Sequence, residues 1–251
     1  MLEILTEIPS TTLLGRLVRY PLKLIPAGVV VPIMSGPLRG KKWIMGAYIH
    51  RCWIGTYELP MQRLIAQEIA PGSVFYDIGA NAGFYSLLAS SKVGNGEVFS
   101  FEPLPSNVVL LKRHLQINCV HNVQVLDMAI SNKEGVAHFD SEGTRGAGRL
   151  HSAGSLTVHT SSLDSLLERG EISPPNAIKM DIEGAEADAL RGAQRCFEQY
   201  RPKLFLATHG QQVHRQCVAL LQSWNYQFRL VGKSQEQDRA EIYAYPANRN
   251  R

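Results

Sequence analysis

Apolar residues follow two periods along this chain. From residue 73 onward, short β-rich runs alternate with stretches whose apolar positions return every three or four residues. That alternation predicts βα units around a mostly parallel sheet. "SVFYDIG" reads as a buried strand, followed by a helix over 82–91, and "GEVFSFEP" as a second strand. Pro105 and Ser106 then open a helix in "SNVVLLKRHLQIN", where the spacing of Val109, Leu110, Arg113 and Ile117 predicts an apolar stripe. The third strand is "NVQVLDMAIS".

Between residues 135 and 160 the period shortens to the alternations "GVAHFD" and "GSLTVH", separated by the glycine-rich "SEGTRGAGRLHSAG". This predicts a β-hairpin insertion with a mobile tip. The βα rhythm resumes with the helix "SSLDSLLERG", the strand "NAIKMDIEG", one helix across "GAEADALRGAQRCFEQY", and the strand "PKLFLATHG". The helix "QVHRQCVALLQSW" and the strands "YQFRLVG" and "AEIYAYP" complete the chain. Residues 1–57 read differently, as an N-terminal extension with an amphipathic helix and a hairpin, "VVVPI" and "LRGKKWIM" flanking "MSGPLRG". Residues 58–251 form the main domain, entered through the helix "MQRLIAQEIA".

Composition changes this picture little. The 251 residues are 45% hydrophobic and 19% charged, an ordinary globular balance. A net charge of +4 is too small and dispersed to indicate a nucleic-acid partner. Four cysteines without a C-x-x-C pair suggest neither a zinc site nor a disulfide framework, and no apolar run is long enough for a membrane span. Acidic flanks argue against a signal peptide, so a cytoplasmic protein is expected. In "TTLLGRLVRYPLKLIP", residues 11–26, apolar and basic positions alternate at helical spacing. That segment suits packing on its own domain, an oligomer contact or a peripheral membrane contact.

The turn "DIGANAG" carries the first chemistry. A strand that ends in small residues and opens a helix presents unpaired backbone N–H groups and lets a ligand approach the main chain. Gly79 and Gly83 give G-x-x-x-G, without the G-x-G-x-x-G on which a dinucleotide's pyrophosphate rests. Asp77 precedes the turn and would repel phosphate while attracting an ammonium or sulfonium. Glu102, ending the second strand, is placed to bind ribose hydroxyls. A ligand with a ribose, a positive charge and no phosphate is S-adenosyl-L-methionine.

Taken with "VFSFEPLPSNVVLLKRHLQIN", "VQVLDMAIS", "SLDSL" and "IKMDIEGAEADALRGA", this turn resembles the successive motifs of the FkbM-type S-adenosylmethionine-dependent methyltransferases, over about residues 53–210. The resemblance implies an α/β class I methyltransferase fold, a Rossmann-like, doubly wound sheet of seven strands with the last antiparallel. It also implies O-methylation of a sugar or polyketide hydroxyl. Asp77, Gly79, Ala80, Asn81 and Gly83 would surround the methionine portion, Glu102 the ribose, and Pro103 would shape the loop beside them. Asp127, Met128 and Ala129 would border the adenine, and Tyr57 with Glu58 would close the pocket.

Methyl transfer is an in-line displacement, so catalytic groups are expected at the carboxyl ends of the middle strands. Asp181, Glu183 and Glu186 cluster at one helix start, with Asp181 the first candidate, then Glu183, and Glu186 behind them. His209 ends the next strand and is the candidate general base, preceded by Ala207 and Thr208 where the family pattern has an acid. Asp181, Glu183 and His209 could alternatively hold Mg²⁺. Two other readings stand beside methyl transfer: an NAD-dependent oxidoreductase on a similar sheet, and a non-catalytic cofactor-binding or scaffold protein.

Overall fold

The computed structural model describes residue 12 and residues 25–140, 149–150, 156–232 and 239–247. Most of the helix expected over 11–26, and of the tip expected over 141–154, lies outside the described residues.

The chain first forms the expected hairpin, strands β1 (Val30–Pro32) and β2 (Lys42–Ile44), paired antiparallel. A short helix that the periodicity did not announce, α1 (His50–Ile54), buries Cys52, Trp53 and Ile54. Helix α2 (Leu59–Glu68) carries Pro60 in its first turn, where the missing N–H costs nothing. It leads into β3 (Val74–Ile78), α3 (Phe84–Val93), β4 (Glu97–Phe101), α4 (Pro105–Ile117) and β5 (Val123–Leu126).

On α4 the buried face is Val108, Leu111, His114 and Leu115, while Val109 is 65% exposed. The packed face is therefore displaced from the expected stripe. His114 explains the displacement: it looks polar in sequence, yet it is fully buried and belongs to the packed face. Its ring stacks on Trp43 at 3.9 Å, accepts the Ile44 backbone N–H at Nε2 (2.9 Å), and has Nδ1 2.8 Å from the Ala82 carbonyl. The hairpin is thus pinned to α4 through His114 and, at the helix end, through Asn118, which exchanges two hydrogen bonds with the Lys42 backbone.

The expected third strand splits in two. β5 ends at Leu126, the Met128 N–H turns back to the Leu126 carbonyl, and β6 (Ala129–Ile130) joins a different sheet. That sheet has the order β6-β9-β7-β8, with β7 (Gly135–Asp140), β8 (Arg149–Leu150) and β9 (Leu156–Ser161). The insertion is therefore more than a hairpin, because β6 adds to β9 in parallel.

Helix α5 (Leu163–Glu168) starts at Ser162, whose hydroxyl accepts the Ser165 N–H. β10 (Ala177–Met180) follows, and the single long helix expected after it is two, α6 (Glu186–Arg191) and α7 (Gln194–Tyr200). The break falls at Gly192, where a Cβ would come within 2.1 Å of the Ser131 carbonyl. β11 (Lys203–His209), α8 (Gln211–Ser223), β12 (Tyr226–Leu230) and β13 (Arg239–Pro246) finish the chain.

The main sheet runs β12-β13-β11-β10-β3-β4-β5. Every neighbouring pair from β5 to β11 is parallel, and β13 is antiparallel to both β11 and β12. The inner strands are buried on both faces, as parallel strands covered by helices must be. Phe75 packs with α2, α3 and the hairpin side, while Tyr76 and Ile78 pack with α6, α7 and α8. The strand order changes direction between β3 and β10, so the adjacent strand ends open a crevice at their carboxyl edge. Among the described residues no helix is long and apolar enough to cross a membrane.

Candidate active site

A cleft lies over that edge, walled by the turns after β3, β4 and β10 and by Arg239 at the start of β13. Its floor is the turn at residues 79–83. Gly79 has φ +82°, and a Cβ there would meet the Asp181 carbonyl at 2.0 Å. Glycine is therefore required by both conformation and space. The N–H groups of Gly79 and Ala80 donate to the Phe101 carbonyl, each at 3.0 Å, which ties the turn to β4. Asn81 sits at φ 48°, a left-handed conformation that asparagine tolerates, and its side chain accepts the Ala82 N–H.

Glu102 is 4% exposed and knits two loops together: Oε2 accepts the Asn81 N–H at 2.7 Å, and Oε1 accepts the Leu104 N–H at 2.9 Å. Burial pushes its carboxyl up to about 7, opposed by those backbone hydrogen bonds. Asp77 is 2% exposed and accepts the Ser86 hydroxyl at 2.6 Å. Burial raises it to about 6 against the lowering effects of Ser86 and Lys179. Two buried carboxylates that ionise reluctantly when alone form a site that gains most from a cationic ligand.

Asp77, Gly79, Ala80, Asn81, Glu102, Pro103, Met128, Ala129 and Tyr57 all line the cleft, as do Asp181 and Glu183. Gly83 lies beneath it as the residue before α3, with its Cα side against Leu111. Asp127 is outside the lining: its carboxylate points to Lys112 at 3.4 Å and is more than half exposed. The split of the third strand explains this, because the turn at 126–128 swings Met128 inward and Asp127 outward.

His209 is also outside the lining. Its Nδ1 is 2.8 Å from Glu186 Oε1, and its Nε2 faces Asp181 Oδ1 at 3.6 Å and Glu183 Oε2 at 3.5 Å. Burial alone would lower its pKa, but the Glu186 hydrogen bond and the charges of Asp181, Glu183 and Glu186 raise it on balance. His209 therefore sits behind the cleft lining and faces it through Asp181 and Glu183.

The wall opposite the glycine turn was largely unreadable in the sequence. Lys179, 1% exposed on β10, reaches Asp181 Oδ2 at 3.3 Å and lies 5.1 Å from the Tyr85 ring centre. Arg239 contacts Glu58 and meets the same Asp181 oxygen at 3.0 Å. Burial opposes ionisation of Asp181, yet Lys179, Arg239 and His209 together hold its carboxyl below the usual range. Tyr48 and Tyr57, edge to face at 5.9 Å, and Trp43 close this side. A buried lysine in a strand of otherwise apolar residues, "AIKM", was the one available signal for this network.

A seven-stranded sheet of this order and direction, with its crevice at the carboxyl edge of the central strands, is the Rossmann-like fold of class I S-adenosylmethionine-dependent methyltransferases. The solved structures agree at the level of fold. An FkbM methyltransferase from Methylobacillus flagellatus KT superposes with TM-score 0.50 at 18% identity, covering 75% of this chain and 59% of that one. An S-adenosylmethionine-dependent O-methyltransferase from Thermotoga maritima gives 0.52 at 12% identity, with 95% and 83% covered.

The chain belongs to the methyltransferase FkbM domain family, whose sequence profile matches residues 77–228. It is 32% identical over 132 residues to the hexuronic acid methyltransferase AglP of Haloferax volcanii, covering 52% of this chain and 54% of that protein. Over 152 residues it is 23% identical to methyltransferase 1 of Beauveria bassiana, covering 50% and 61%. The chain thus spans between half and two thirds of the length of these curated relatives.

Proposed function

We propose that this protein is an S-adenosyl-L-methionine-dependent methyltransferase that methylates a hydroxyl of a sugar or a related small natural product. The observation that carries the reading is the pairing of buried Asp77 and Glu102 around a glycine turn at the carboxyl ends of β3 and β4. Asp77 takes the cationic methionine end, and Glu102, whose Oε1 accepts from Leu104 and the Asn107 amide while Oε2 accepts from Asn81, takes the ribose hydroxyls through Oε2. Met128 and Ala129 cover the adenine. Relatedness to a hexuronic acid methyltransferase makes acidic sugars the first acceptor class to try. Residues 1–57 are proposed to shape the acceptor side, since Trp43, Tyr48 and Tyr57 line it.

In this reading the acceptor enters between the aromatic side chains and the Asp181–Glu183 edge. Its oxygen attacks the methyl carbon, the carbon–sulfur bond breaks with its electron pair going to sulfur, and the hydroxyl proton passes to a carboxylate of that edge. Lys179 and Arg239 fix Asp181 by its Oδ2, leaving Oδ1 on the side of His209 and Glu183. His209 acts as a positioning residue behind the two carboxylates. Incubation with methyl-labelled S-adenosylmethionine and a panel of uronic acids, neutral sugars and polyketide alcohols tests this reading. Label is expected in a sugar fraction together with S-adenosylhomocysteine. Label only in non-sugar acceptors would move the acceptor assignment elsewhere.

A further inference from the structure

We infer that Asp181, Glu183 and His209 form a binding site for a hard divalent cation, Mg²⁺ or Mn²⁺, on the acceptor wall of the cleft. The inference rests on the reading of that wall as the acceptor side. One oxygen from each acid and Nε2 of the histidine lie within 4.8 Å of one another. The 3.5 and 3.6 Å nitrogen–oxygen separations leave room for an ion after small side-chain rotations. Two carboxylates and one imidazole are a hard, oxygen-dominated donor set, which selects Mg²⁺ or Mn²⁺ chemistry over a thiolate metal.

Three independent features point to a ligand rather than an ordinary ion-pair cluster. The first is the support behind the histidine: fully buried Glu186 holds Nδ1, leaving Nε2 directed at the two acids. That is the carboxylate–histidine arrangement by which proteins orient a metal-binding imidazole. Glu186 is itself fixed, its Oε1 also accepting the Ile182 and Gly184 N–H groups, and its Oε2 is buried without a hydrogen-bond partner. The second is strain: Glu183 is held at φ 54°, followed by Gly184 at φ 109°, a left-handed kink that turns the Glu183 carboxylate back toward His209. Such conformations cost free energy and concentrate at functional sites. The third is charge. Among the described residues, the carboxylates of Glu58, Asp181, Glu183, Glu186 and Glu241 surround this corner, and the cations Lys179 and Arg239 both reach Asp181 by its Oδ2. The Oδ1 side, where the cation would sit, faces His209, whose Nε2 also faces Glu183.

A cation there would border the cleft through Asp181 and Glu183 and could accept an oxygen of the acceptor as a further ligand, lowering that hydroxyl's pKa. The test is direct binding on the full chain, stripped with a chelator and titrated with Mn²⁺ while water-proton relaxation is followed. One saturable site is expected, with Mg²⁺ competing for it. Glu183→Gln is expected to weaken it at least tenfold, and Glu186→Gln, which reaches the site through His209 and the backbone N–H groups of Ile182 and Gly184, about 10- to 100-fold. The exposed Glu171→Gln control should match the parent. Absence of a saturable site, or equal affinity in parent, Glu183→Gln and His209→Gln, overturns the inference. S-adenosylmethionine binding measured in the same samples separates the two claims: retained cofactor binding without Mn²⁺ removes only the cation site, whereas lost cofactor binding in the parent removes the methyltransferase reading.

Discussion

At the scale of single residues, the cleft is governed by the energy of burying carboxylates. Asp77 and Glu102 titrate near 6 and 7, above the ordinary carboxylate range of about 4. The folded, ligand-free state therefore binds more protons than the unfolded chain between about pH 4 and 7, and these two groups lose stabilising effect as pH rises through that window. A cationic ligand has the opposite preference, because it needs the carboxylates ionised. The affinity for S-adenosylmethionine is accordingly expected to climb from pH 5 to 8, with a flatter profile in Asp77→Asn, as read by calorimetry at each pH. Identical profiles in the two proteins would detach Asp77 from the ligand. These residues were legible because each marks a strand end beside a glycine turn. Asp127 had the same appearance but a different fate, because the two-residue turn that expels it has no sequence signature of its own.

At the scale of elements, pattern gave the type of most helices and strands and missed where neighbours override it. α4 shows this clearly. A stripe chosen by hydrophobicity skips His114, yet the packed face is built around it, since a neutral imidazole can satisfy Ile44 and the Ala82 carbonyl at once. Burial lowers its pKa to about 4. The unfolded chain therefore binds the extra proton first, and the stability His114 contributes is complete above about pH 6.5 and lost as pH falls toward 4. The Ile44 amide is expected to lose hydrogen-exchange protection over that interval. In His114→Ala it should exchange faster at all pH values, with about 1–3 kcal/mol lost from the unpaired N–H, plus the lost stacking on Trp43. Unchanged protection would mean that the hairpin is held by other contacts. The Gly192 break and the β6–β9 pairing were hidden for the same reason: each is set by a contact with chain distant in sequence. Arg239 reaches Asp181 across 58 residues, a pairing no local pattern encodes.

At the scale of the whole molecule, the alternation of strands and helices was enough to give a doubly wound sheet, and the order of motifs gave the family. The wall proposed for the acceptor was not enough of a pattern to read, since it is assembled from the N-terminal hairpin region, β10 and β13. Its chemistry therefore became visible only when the sheet brought Tyr48, Lys179, Asp181 and Arg239 together. The central claim is that this cleft binds S-adenosyl-L-methionine through Asp77 and Glu102. Calorimetric titration of the full chain with S-adenosylmethionine and separately with NAD, repeated on Glu102→Ala, tests it most directly. One saturable S-adenosylmethionine site, weakened at least tenfold in Glu102→Ala and accompanied by no heat with NAD, is the predicted result. NAD binding with silence toward S-adenosylmethionine, or equal affinity in Glu102→Ala, would contradict it.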